Sequence, residues 1–112
     1  MPVALVVAEK SLMRAINKEQ DPVSLWAEAT HTEPNEMTII CSVCDASYGK
    51  QYAVFATLYL PTLWSTGSKE KLQQGLALAL SQYFHVSIEH VFVVTNSVKS
   101  GDALENGRVI TW

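Results

Sequence analysis

The sequence predicts an α+β fold made of two tandem βαβ units, whose strands form one four-stranded mixed sheet with two helical segments on one face. Three observations predict it. Two runs rich in β-branched, aliphatic and aromatic residues, Val3 to Ala8 and Tyr52 to Leu60, open the two halves of the chain. Each is followed by apolar residues at helical spacing and then by another strand-like run. Between the halves lies Asp45 to Gln51, a stretch containing Gly49 that reads as a linker. A chain of 112 residues is long enough for one core and short for two, so one domain spanning 1–112 is expected, with a pseudo-repeat of 1–51 and 52–112.

The first strand, Val3 to Ala8, is short and apolar throughout, as suits a strand covered on both faces. From Lys10 to Thr30 the pattern is helical but interrupted: Leu12, Ala15 and Ile16 make one stripe, and Leu25, Trp26 and Ala29 another. Asp21-Pro22 between them fits an N-cap followed by proline at the first helical position, so two short helices are expected. Thr32 to Glu36 is a turn, and Met37 to Val43 the second strand. In the second half, Tyr52 to Leu60 is the third strand, ended by Pro61. Ser68 is the expected N-cap of a long helix, with Glu70 in its first turn. Leu72, Leu76, Leu80 and Tyr83 then recur on one face, joined by Leu78, Ala79 and Phe84. Val91 to Thr95 is the fourth strand. Gly101 and Asn106-Gly107 mark turns ahead of a short closing strand from Arg108 to Trp112.

Composition narrows the function. The net charge of −3 and the absence of any Lys/Arg cluster argue against nucleic-acid binding. No apolar run is long enough to span a membrane. No basic segment precedes an apolar stretch at the N-terminus, so a cytoplasmic location is expected. Hydrophobic residues make up 48% of the chain and charged residues only 17%, which points to a homo-oligomer that covers the free face of the sheet. The two cysteines, Cys41 and Cys44, have the spacing of half a zinc site or a redox pair. They sit in a strand, where residues three apart face opposite ways, and no histidine supplies matching ligands. Ordinary strand cysteines and no metal site are the expectation. Tyr48, Tyr52 and Trp112 are candidates for lining an apolar pocket or for the core.

The segments Ser65 to Leu72 and Val86 to Val94, with the tail Lys99 to Trp112, resemble the tautomerase superfamily, the group of 4-oxalocrotonate tautomerase and macrophage migration inhibitory factor. The likeness covers about half of the chain; the first half is similar in element order and in Met1-Pro2. The resemblance implies a barrel-like trimer with its sheets facing inward and, once Met1 is removed, Pro2 as the catalytic base. An α-amino group titrates near pH 7.7–8.0, and burial disfavours its charged form, so a secondary amine here can be neutral near pH 7. It can then move a proton between the carbon and oxygen of a keto–enol pair without a cofactor. The implied activity is an isomerase acting on a 2-keto acid. Lys10 and Arg14, just past the first strand, and Arg108 from a neighbouring subunit are the candidate substrate-binding cations, or else solvated surface charges. Trp64 and Phe92 stand where the family pattern has arginines. The alternative is therefore a catalytically inactive protein of this fold that serves in binding or assembly.

Overall fold

A computed structural model describes residues 1–112. The first strand, β1 (Val3–Glu9), lies inside a four-stranded sheet of order β2-β1-β3-β4, with β2 at Thr38–Cys44, β3 at Val54–Pro61 and β4 at Val91–Val98. Within each half the strands are parallel: Val3 lies beside Thr38, and Val54 beside Val91. The halves meet through an antiparallel pairing of β1 with β3, in which Val3 stands opposite Tyr59. The N-terminal end of β1 is therefore next to the C-terminal end of β3. That relation positions everything described below.

Three helices follow from local chemistry. The helical pattern after β1 is broken, as Asp21-Pro22 predicts, into α1 (Lys10–Arg14) and α2 (Pro22–Thr30). Asp21 caps α2 by accepting the Val23 N–H, 2.9 Å away, and proline occupies the first turn where no N–H is needed. The long helix α3 (Thr66–Phe84) starts earlier than Ser68. Its cap is Ser65, whose extended backbone lets Oγ accept the Ser68 N–H at 3.2 Å. Gly67 lies inside the first turn, so it does not act there as a breaker, and Glu70 falls beyond that turn.

The core sits between the sheet and α2 and α3. Alternation along the strands sends Ala4, Val6 and Ala8, and Val54, Ala56, Leu58 and Leu60, inward to complete burial. Against them α3 packs Leu72, Leu76, Ala79, Leu80, Tyr83 and Phe84, while Leu78 turns out to solvent. Each leucine buried in this way stabilises the fold by about 1.5–3 kcal/mol. Trp26 on α2 is fully buried and donates its indole N–H to Leu72 O at 3.0 Å, tying the two helices. They cross at Gly75, where an added Cβ would collide with Thr30 Cγ2. Thr30 cannot swing aside freely, because its hydroxyl donates to Trp26 O at 2.8 Å.

The opposite sheet face is uncovered. Leu5, Ile40, Phe55, Phe92 and Val94 are exposed on it, and Phe55 stacks on Phe92 with ring centroids 5.1 Å apart. After β4 the chain forms a hairpin of β5 (Ala103–Glu105) and β6 (Arg108–Ile110) across Asn106-Gly107. Both turn residues have positive φ, 55° and 74°, the geometry that favours Asn-Gly in a two-residue loop. Trp112 lies beyond β6 rather than in it, held by its indole N–H on Thr62 Oγ1 and its backbone N–H on Ser100 Oγ.

Candidate active site

Pro2 is fully buried at the head of β1, and its carbonyl accepts the Thr38 N–H at 3.0 Å. The equivalent residue of the second half is Val54: counted from the left-handed His31 and His85, Val3 beside Thr38 matches Phe55 beside Phe92, and Pro2 and Val54 are both buried. Val54 has a backbone N–H and opens its ladder, paired with Val91. Proline has no such hydrogen to give while its nitrogen is an amide. The nitrogen of Pro2 thus stays out of the sheet ladder that its counterpart joins.

Pro2 and Met1 line a cavity of about 480 Å³. One wall is the C-terminal end of α2 and the turn after it, contributing His31, Glu33 and Glu36; the other is the start of α3, contributing Ser68 and Lys71. The antiparallel β1–β3 pairing explains why α3 is here: it follows the C-terminal end of β3, which lies beside the start of β1. A second cavity, of about 660 Å³, adjoins the first and shares Met1, Glu36 and Trp64 with it. Pro61, Leu63, Ile110 and Trp112 line it as well. Trp64 is thus an aromatic wall for both spaces.

The other sequence candidates are not gathered here within one chain. Lys10 and Arg14 are exposed on α1, at the far end of the seven-residue β1 from Pro2, a separation of about 20 Å along a strand. Arg108 is exposed on β6 and lines neither cavity, although Glu105 and Ile110 of the same hairpin do. Lys71 is the one Lys or Arg among the residues around the Pro2 cavity. The aromatic candidates separate too: Trp112 lines the second cavity with Met1 and Val3, Tyr52 packs against Phe92 at the other end of the sheet, and Tyr48 is 91% exposed.

Sequence reading did not single out Lys71, Glu33, Glu36 or His31 for the site. The signal for them lies in strand direction, because only the antiparallel β1–β3 pairing places the α2 C-terminus and α3 N-terminus together over Pro2. The cysteines face opposite ways, Cys41 packing toward the core and Cys44 bordering a separate small cavity with Val7 and Phe55. Burial pushes the Cys41 thiol up from its ordinary value, the reverse of what activates a nucleophile. No group of three or more His, Cys, Asp or Glu side chains is arranged to hold a metal. No helix is long and apolar enough to cross a membrane.

No family model matches the sequence, and no curated protein matches it by sequence. Its structure does match solved ones. A member of the cis-3-chloroacrylic acid dehalogenase family superposes with a TM-score of 0.73 at 15% identity, over 96% of this chain and 82% of the other. A wild-type fused 4-OT, solved as a symmetric trimer, matches with a TM-score of 0.72 at 14% identity, over 96% and 94% of the two chains. Macrophage migration inhibitory factor from Oncomelania hupensis matches with a TM-score of 0.72 at 15% identity, over 98% and 82%. At these identities the likeness is one of architecture. The α+β chain, with its four-stranded mixed sheet, has the fold of the tautomerase superfamily.

Proposed function

We propose that this protein is a keto–enol tautomerase in which Pro2, freed by removal of Met1, is the general base. The observation that carries the reading is the contrast between equivalent positions: Val54 is paired into the sheet beside Val91, whereas Pro2, outside the ladder, lines a cavity of about 480 Å³. That volume lies in the range of small-molecule sites. In the reaction the neutral amine takes the proton from the carbon beside the carbonyl. The C–H bond breaks, an N–H bond forms, and the electron pair moves to the carbonyl oxygen as an enolate. The proline ammonium then delivers the proton to that oxygen, and the reverse sequence ketonises an enol. The substrate is a 2-keto acid, with its carboxylate directed to Lys71 and the N-terminal end of α3, where the helix dipole is positive. The neighbouring cavity beside Trp64 and Trp112 takes the side chain.

The apolar outer face of the sheet supports a homotrimer, as does the symmetric trimer of the fused 4-OT that shares this fold. In such an assembly Arg108 of a second copy is the candidate for a further cation at the Pro2 cavity. Ketonisation of phenylenolpyruvate, followed by ultraviolet absorbance, tests the reading on protein whose intact mass is that of a chain beginning at Pro2. Pro2→Ala is expected to lower the rate by about 10²–10⁴-fold, the usual contribution of a positioned general base. An unchanged rate sinks the assignment.

A second reading rests on Trp64 and Phe92, which replace the expected arginines, and on the lone cation at the cavity. It makes the protein a catalytically inactive module for binding or assembly. Turnover abolished by Pro2→Ala rules that out.

A further inference from the structure

The two walls of the Pro2 cavity carry opposite charge. On one side α3 presents its N-terminal end, the Ser68 hydroxyl and the Lys71 ammonium. On the other, α2 presents its C-terminal end, and the turn beyond it adds the carboxylates of Glu33 and Glu36. Helix dipoles act in the same sense as the side chains on both walls, positive at the start of α3 and negative at the end of α2. An aryl keto acid with one carboxylate satisfies only the first wall. It leaves two carboxylates facing an uncharged group, and they repel any second anion.

We propose that the cavity is built for a dipolar carbonyl acid, one that carries a carboxylate at one end and a cationic amine at the other. This rests on the reading of the Pro2 cavity as the active site and adds the substrate class to it. Lys71 and the α3 N-terminus receive the carboxylate. Glu33 and Glu36 receive the ammonium, and the reacting carbon lies between them beside the Pro2 nitrogen. Glu33 and Glu36 are thus specificity-determining residues that do not take part in proton transfer. Both are solvent-exposed, so their effect depends on ionic strength.

The test compares phenylpyruvate with 4-(aminomethyl)phenylpyruvate, which differ by one ammonium group on the ring. Calorimetric dissociation constants are measured for the chain beginning at Pro2. The wild type is expected to bind the aminomethyl compound about tenfold more tightly at low salt. The Glu33→Gln, Glu36→Gln double variant should bind the two compounds equally, and Lys71→Gln should weaken both by a similar factor. Because these three positions are exposed, the variants retain the fold. Equal binding of the two compounds by the wild type overturns the proposal. So does a preference that survives in the double glutamine variant, or failure of both compounds to bind. The tautomerase reading fails separately: Pro2→Ala with undiminished turnover refutes the base and leaves the binding preference standing.

Discussion

The two halves of the molecule share a plan and differ in what they contribute. In each, a strand leads to a helix that ends on a histidine in the left-handed conformation, His31 at φ 54° and His85 at φ 55°. A 3₁₀ turn and a parallel strand follow in both. The second half runs one unbroken helix of 19 residues, seven of them buried, and joins its strand to the ladder from Val54 onward. The first half breaks its helix, buries three residues of the nine in α2, and begins its strand on a nitrogen outside the ladder. The second half thus supplies most of the helical packing. The first leaves Pro2 buried at the sheet's end, beside a cavity.

Exchanging the residues at the equivalent positions gives the largest expected effect. Pro2→Ala should remove about 10²–10⁴-fold of activity. Val54→Pro should leave the Pro2 chemistry in place but remove a ladder N–H beside Val91, lowering stability by at least about 1–3 kcal/mol in urea melts. A loss of activity in Val54→Pro at full stability would erase the functional contrast between the halves. The packing contrast predicts the next largest change. Leu76→Ala, in the buried face of α3, should cost about 2–5 kcal/mol, and the half-buried Val23→Ala on α2 distinctly less, both read by chemical denaturation. Gly75→Ala, at the one close approach between the helices, should cost about 1–3 kcal/mol, because the methyl group meets a threonine fixed by its own hydrogen bond. The smallest effect runs the other way. His85→Gly relieves a left-handed residue and should raise stability by up to about 1 kcal/mol, visible as a higher midpoint of thermal unfolding.

Much of the fold is legible in local chemistry. Asp21-Pro22 marks the break between α1 and α2, Asn106-Gly107 marks the hairpin, and alternation along Val54–Pro61 marks the buried face. The α3 start is misread because Gly67 looks like a breaker, although Ser65 supplies the cap two residues before it. Leu78 reads as part of the buried stripe, yet helical geometry turns it outward. The site is less legible, since it depends on which strand ends meet. Pro2 can be singled out from its type and position, but Lys71, Glu33 and Glu36 converge on it only through the antiparallel pairing of the two halves. Lys10 and Arg14 follow β1 in sequence, and a strand of seven residues necessarily carries them away from its own first residue.

The Pro2 nitrogen itself offers the most direct test. In protein labelled with ¹⁵N-proline, the resonance of this nitrogen should be that of a secondary amine and should shift with pH. Its titration midpoint should coincide with the pH at which kcat/KM for ketonisation rises, because the neutral amine is the base and activity grows as the ammonium loses its proton. An amide resonance that does not move with pH, or a rate profile with no inflection at that midpoint, contradicts the assignment of Pro2 as the base.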